Sequence, residues 1–229
     1  MARFALLISL LAAMVSPATA GIYLDRIIIE FDPDGLPRED IVVINDSNAE
    51  NAYVDVEIIE VRNPGMPEEQ RVAITNPQES GLLVTPAKMV IPPSGRQQVR
   101  LVNLAGTGDV DKVYRINFKP VLPPLASEES VVRIVVAYQA LVLIPPENPS
   151  AVVNFERDGT SLVMRNVGNS YVRLEDGRYC ESENANCADL QGTRLYAGNT
   201  FQVALPGNGS VRFNAVNGQG VKSLVIEEE

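Results

Sequence analysis

The side chains able to do covalent or proton-transfer chemistry are few in this chain, and their spacing limits what they can do. Cys180 and Cys187 are separated only by the polar stretch Glu181-Ser-Glu-Asn-Ala-Asn186. As free catalytic thiols they would need a neighbouring base or a C-x-x-C spacing, and neither is present. In an oxidising compartment the pair would instead close a short loop, worth about 2–3 kcal/mol in the chain-entropy view. The 229 residues include no histidine. That removes Ser-His-Asp and Cys-His sites, histidine metal ligands and an imidazole pH switch. Two cysteines are too few for a Cys₄ zinc site or an iron–sulfur cluster. Adjacent carboxylates occur at Glu68-Glu69, Glu128-Glu129 and Glu227–Glu229, all in polar turns or at the tail, where solvated charge is the ordinary explanation. None has the setting of a glycosidase pair, and no phosphate loop or metal cluster is present. The expectation is a protein that is not an enzyme and uses no cofactor or metal.

Composition narrows the partners. A net charge of −10 makes nucleic acid and anionic membrane surfaces poor partners, because the long-range field repels phosphate. With 45% apolar and 21% charged residues the chain has the makings of a packed core rather than of disorder. The start of the chain reads as an export signal: Arg3, the apolar run Phe4–Val15, Pro17, then the small-x-small triplet Ala18-Thr19-Ala20. The run is short for a membrane span and no basic stop-transfer segment follows. Residues 1–20 are therefore expected to be cleaved after Ala20, leaving an exported protein with no membrane insertion. Export places the two cysteines where a disulfide persists.

The elements that would position any site are strands. Apolar residues recur with a period near two almost throughout, and almost no window has the i, i+3, i+4, i+7 stripe of a helix. Runs at Ile22–Phe31, Asp40–Asn45, Ala52–Val61, Leu82–Thr85, Gln98–Asn103, Val113–Val121 and Val131–Ile144 are followed by Val152–Phe155, Ser161–Arg165, Tyr171–Glu175, Phe201–Ala204, Ser210–Phe213 and Lys222–Ile226. Turn signals such as Asp32-Pro-Asp-Gly35, Pro92-Pro-Ser-Gly95 and Pro206-Gly-Asn-Gly209 lie between them. Short strands at this spacing predict an all-β sandwich or barrel. Pro145-Pro146-Glu-Asn-Pro149 cannot continue a central strand, because each proline removes a ladder donor. The chain therefore divides into 21–145 and 146–229, two β-sandwich domains set at an angle with a cleft between them.

The run Val131–Ile144 is long and apolar on both faces. A strand of that kind is ordinarily central and buried. Yet it is the last of its domain, where sandwiches leave an edge, and an edge strand with an apolar outer row is a template for pairing with another chain. Both readings stand on the residues alone.

Several segments, in order, resemble one family. They are Gly81-Leu-Leu-Val-Thr-Pro-Ala-Lys-Met-Val-Ile-Pro92, Val99-Arg-Leu101, Tyr114-Arg-Ile-Asn-Phe-Lys-Pro-Val121 followed by Pro123-Pro124, Tyr138-Gln-Ala-Leu141 ahead of Pro145-Pro146, Asn166-Val-Gly-Asn169, and the cysteine pair. None is specific alone. Together with the export signal they make the chain resemble periplasmic chaperones of the chaperone–usher pilus pathway, over the whole mature length, and within it the alternative branch that serves colonisation-factor-type fimbriae.

The resemblance implies two immunoglobulin-like domains and donor-strand complementation. A pilus subunit lacks its last strand, and the chaperone lends one of its own, filling the groove with alternate apolar side chains. Here that row would be Val132, Ile134, Val136 and Tyr138, or the same row shifted by two; alternation forbids a shift by one. The implied partners are fimbrial subunits and an outer-membrane usher, with self-association of the free protein another way to cap the strand. The family also holds the subunit's C-terminal carboxylate with two basic residues in the cleft. Alignment on Leu24-Asp25-Arg26 and on Pro145-Pro146 puts Ile28 and Leu141 at those positions, so that anchor is absent. Arg100, Arg115 and Lys119 are the replacement candidates, with Arg26 and Arg133 weaker choices; arginine's fork suits a carboxylate best. A secreted two-domain immunoglobulin-like adhesive protein is the rival reading, against which stand the absence of tryptophan and an aromatic content of 6%.

Overall fold

The computed structural model describes residues 21–121, 135–182, 187–218 and 220–226. The expected donor residues Val132 and Ile134 and the export segment lie outside these. Among the described residues, the first half supplies ten strands: β1 (Ile22–Leu24), β2 (Ile28–Glu30), β3 (Arg38–Asn45), β4 (Ala52–Arg62), β5 (Gln70–Ile74), β6 (Leu82–Thr85), β7 (Lys88–Ile91), β8 (Arg96–Asn103), β9 (Lys112–Pro120) and β10 (Tyr138–Ile144). The second half supplies β11 (Val153–Asp158), β12 (Ser161–Asn166), β13 (Val172–Cys180), β14 (Ala188–Leu190), β15 (Thr193–Leu195), β16 (Thr200–Ala204), β17 (Ser210–Asn217) and β18 (Gly220–Ile226). One helical turn, α1 (Pro77–Ser80), is capped by the Asn76 side chain and stopped by Gly81 at φ +75°.

Alternation decides which faces meet. In the first half the sheet β1-β3-β8-β6 packs on the sheet β2-β10-β9-β4-β5, where β7 also pairs with β4. Ile41 and Val43 of β3 and Val99 and Leu101 of β8 face Ile116 and Phe118 of β9 and Val142 of β10, all fully buried. In the second half β11-β12-β16 packs on β14-β13-β17-β18, with β15 on β13. Leu162, Met164, Leu174, Val211 and Phe213 fill that core. Each half is a sandwich of two sheets, as expected from the pattern.

Three departures from the expected elements have physical causes. Ile22–Phe31 reads as one strand but divides between the two sheets: β1 pairs with β3, and β2 runs parallel to β10. The switch occurs at Asp25, whose carboxylate accepts from Val42 N–H (2.8 Å) while its own N–H donates to the Val42 carbonyl (3.1 Å), ending the first ladder. Strands β5 and β7 lacked a clear apolar alternation in sequence, and both are edge strands held by β4. The expected Tyr171–Glu175 continues to Cys180 across a bulge between Glu175 and Arg178. Cys180 and Cys187 are joined by a disulfide.

Candidate functional site

Strand β10 is built from the sequence run that was apolar on both faces, and it uses both. Ala140, Val142 and Ile144 enter the core of the first sandwich, with Tyr138 packed against its margin. Leu141 and Leu143 point the other way and form a second cluster with Val61, Val113 and, from the second half, Tyr171. That cluster is the apolar contact between the two halves. The reading of this strand as buried core therefore holds from Ala140 to Ile144, all of them buried.

Ahead of Ala140 the surroundings change. Strand β2 covers the outer edge of β10 only at Leu141–Leu143, where Leu141 N–H donates to the Ile27 carbonyl (2.8 Å). Among the described residues no strand pairs with that edge at Tyr138–Ala140, although β9 pairs with the inner edge there. Val136, two residues earlier on the alternation that fills the sandwich core, is 52% exposed, and Ile27 and Ile28 beside the open edge are 56% and 38% exposed. An unpaired edge flanked by exposed apolar side chains is what a partner strand can complete. Of the expected donor row, Val136 is free of the core and Tyr138 is partly committed to it.

The three candidate anchors fall in different places. Arg100 lies on the other sheet, where its guanidinium bonds Asp40 twice, at 2.8 and 3.0 Å. The hydrogen bonds from Arg100 hold the Asp40 carboxyl below its ordinary range. Lys119 shares the outer face of β9 with Arg115 but reaches Glu57 at 2.7 Å, and Glu57 also accepts from Asn117 (3.0 Å). Arg115 is half-buried and stands in register between Leu141 on β10 and Ile59 on β4, with Ile28 beyond Leu141. Ile28, Leu141, Arg115 and Ile59 thus form one row across four neighbouring strands. Arg115 is one strand, about 4.8 Å, from Leu141, the position that would carry the family lysine. It feels the charge of Glu69, but no carboxylate among the described residues is within ion-pair distance of it. The structure does not bring Arg100 together with the other two.

The junction contains residues that sequence reasoning missed. Asp111 Oδ1 accepts from Ser170 Oγ (2.9 Å), its Oδ2 accepts from Tyr171 N–H, and its own N–H donates to the Asn169 carbonyl (3.2 Å). Burial pushes this carboxyl from 3.8 up to about 6, against the pull of those hydrogen bonds, and the Glu30 charge adds to the rise. A second tie runs from Asn199 Nδ2 to the Pro64 carbonyl (3.0 Å). Burial, then Glu30, pushes the Tyr171 phenol well above its ordinary range. In sequence Asp111 is one more acidic turn residue, with nothing to mark it as buried.

No family model matches the sequence. The chain is 27% identical over 198 residues to a CFA/I fimbrial subunit protein of Escherichia coli, covering 81% of this chain and 82% of that protein. Among solved structures it is similar to the class 5 fimbriae chaperone CfaA, with a TM-score of 0.68 at 24% identity over 91% of this chain and 99% of that one. It is similar too, with a TM-score of 0.66 at 24% identity and the same coverage, to a chain of a chaperone–tip adhesin complex of CFA/I fimbriae. These likenesses to solved structures show the fold, that of fimbrial chaperones.

Proposed function

We propose that this protein is a periplasmic chaperone that binds fimbrial subunits by donor-strand complementation, keeps them from polymerising and delivers them to an outer-membrane usher. One observation carries the reading: β10 fills its own sandwich from Ala140 onward but ahead of that presents an edge that no strand among the described residues pairs with, with Val136 exposed on the same alternate row. A subunit sheet lacking a strand would gain backbone hydrogen bonds along the edge, each worth about 1 kcal/mol net. Each donated side chain would remove apolar area from water at roughly 25 cal/mol per Å². The energy for release would come from a better-packed subunit–subunit strand replacing the lent one, so no nucleotide is needed. The working protein begins at Gly21 after cleavage at Ala20, and the domain division at 145/146 places the donor strand at the end of the first domain.

Arg115 is the best of the three candidates for the subunit's terminal carboxylate. It stands next to Leu141, with Ile28 one strand farther on, the two positions where the resemblance would put basic residues, while Arg100 and Lys119 are engaged by Asp40 and Glu57.

The test is capture from the periplasm of the source organism by the tagged mature protein, beside Val136→Asp, Ile134→Asp and Arg115→Gln. Wild type should retain a small β-rich subunit, both donor variants should lose it, and Arg115→Gln should retain markedly less. Folded Val136→Asp and Ile134→Asp proteins that bind like wild type would overturn the donor row. Capture of no subunit by wild type would move the assignment to the secreted adhesive module.

A further inference from the structure

The second half carries arginines whose charge its own packing only partly offsets. On β13, Arg173 stands directly opposite Arg194 of β15, and farther along Arg178 stands directly opposite Arg212 of β17. Like charges facing each other across strands are unfavourable, so pairing alone does not account for two such pairs. Nor does alternation, which would put Arg173 and Arg178 on opposite faces. The bulge between Glu175 and Arg178 reverses that. Asp176 adopts φ +51°, and Gly177 leaves room for the Phe213 ring, which a Cβ there would meet at 2.4 Å. Arg178 is thereby returned to the face of Arg173.

That face starts at the junction. Tyr171 and Tyr196 continue it there, resting on Val61, Val113, Leu141 and Leu143 of the first half. Its junction end therefore meets the outer face of β9 and β10. Its counter-charges are incomplete. Arg173 reaches Glu175 at 3.3 Å, and Arg178 reaches Asp189 only at 3.9 Å. Among the described residues Arg194 and Arg212 have no ion pair, and Arg194 lies over the Tyr171 ring at 5.3 Å. The Nε groups of Arg173 and Arg194 are buried without an acceptor, beside an open cavity of about 460 Å³ lined also by Glu175 and Thr193.

We propose that this arginine face of β13, β15 and β17 receives acidic side chains of the fimbrial subunit held on β10, an inference that rests on the strand-lending role. Guanidinium forks match carboxylates in a bidentate manner. Because of the bulge, four residues of β17 span the distance from Arg173 to Arg178, roughly 13 Å, beyond the span of a single carboxylate, so the fitting ligand carries several. The chain as a whole has a net charge of −10 and repels an acidic partner from a distance. A local basic wall then favours the one orientation that sets the acidic part of the subunit against it, which acts on association rate and register.

Two measurements on the mature protein test this, both with Arg178→Glu/Arg212→Glu, a pair of exposed positions. N-acetylated, C-amidated decaglutamate has no terminal carboxylate. At low salt it should shift the arginine Nε signals of Arg173, Arg178, Arg194 and Arg212 in NMR spectra, and the double variant should weaken its binding about tenfold. The subunit co-purified with wild type, identified by mass, should associate about tenfold more slowly with the double variant at low salt, and the two rates should converge at high salt. Equal peptide affinity or equal association rates in a double variant of unchanged melting temperature would overturn the proposal alone. A subunit bound equally well by Val136→Asp would overturn the strand-lending role, and with it the occupant proposed here.

Discussion

Asp111 accepts a hydrogen bond from Ser170 Oγ at 2.9 Å, so the loop that enters β9 is tied to the turn that enters β13 by a buried carboxylate. Together with the Leu141–Leu143–Tyr171 contact this tie sets the angle between the sandwiches, and hence the width of the cleft beside the open edge of β10. A charge in that position makes the junction sensitive to pH.

The direction follows from linkage. Asp111 has a folded-state pKa raised from 3.8 to about 6, so the folded protein takes up this proton before the unfolded chain does. Its contribution therefore stabilises the fold as pH falls through about 6, and that gain is complete near the unfolded value. The size is on the order of 3 kcal/mol at most. The carboxyls of Asp40, Glu57 and Glu69 are held below their ordinary values and act oppositely, but only at lower pH. Thermal melting between neutral pH and pH about 5 should thus show stability rising on acidification in wild type and much less in Asp111→Asn. An identical pH profile in the two proteins would contradict this.

Gly177 makes the bulge of β13 possible. A Cβ at this position would meet Phe213 Cε1 at 2.4 Å and the Leu190 carbonyl at 2.8 Å. Gly177→Ala should destabilise the second sandwich by about 1–3 kcal/mol, the usual range for overpacking. Because relief of the clash would disturb the bulge, Arg178 should also lose its alignment with Arg212, visible as altered amide shifts along β13 and β17. Urea unfolding that matches wild type would show the site to be softer than the close approach implies.

The disulfide closes a loop of a few residues, with Cα atoms of Cys180 and Cys187 4.3 Å apart. Replacing both by serine should cost about 2–3 kcal/mol, read as a lower urea midpoint with little change in slope. Subunit binding should survive, because Cys180 lies at the end of β13 opposite Tyr171 and the junction. A double serine variant that folds but fails to bind would place the loop in the interface.

Much of this organisation can be read from the residues, and the exceptions share a cause. Period-two alternation located most strands because each buries one face, as with Ile41 and Val43 on β3. It could not reveal that Ile22–Phe31 changes sheets, since both parts bury alternate residues and the switch depends on Asp25 meeting Val42. Arg100 and Arg115 look equivalent in sequence, each flanked by apolar residues on a strand, yet they lie on different sheets. Which sheet a strand joins, and so which basic residue borders the cleft, is decided by long-range pairing. The arginine face depends on a bulge whose only local sign is Asp176-Gly177. Asp111 became a junction residue through a contact with Ser170, far along the chain.

Val136 and Tyr138 lie on one alternate row, yet only Tyr138 packs against the core of its own sandwich. Their truncations should therefore separate stability from binding. Val136→Ala removes side-chain area that is 52% exposed in the free protein, so its unfolding curve should stay within about 0.5 kcal/mol of wild type while subunit affinity falls severalfold. Tyr138→Ala opens a space at the margin of the core and should cost about 1–3 kcal/mol in unfolding, with loss of affinity as well. Denaturant unfolding paired with subunit-binding titrations gives both readings on the same samples. A Tyr138→Ala protein as stable as wild type would assign the whole row to the subunit. Equal loss of stability in both variants would instead assign the row to the chaperone's own core and leave the open edge of β10 without a donor side chain at Val136.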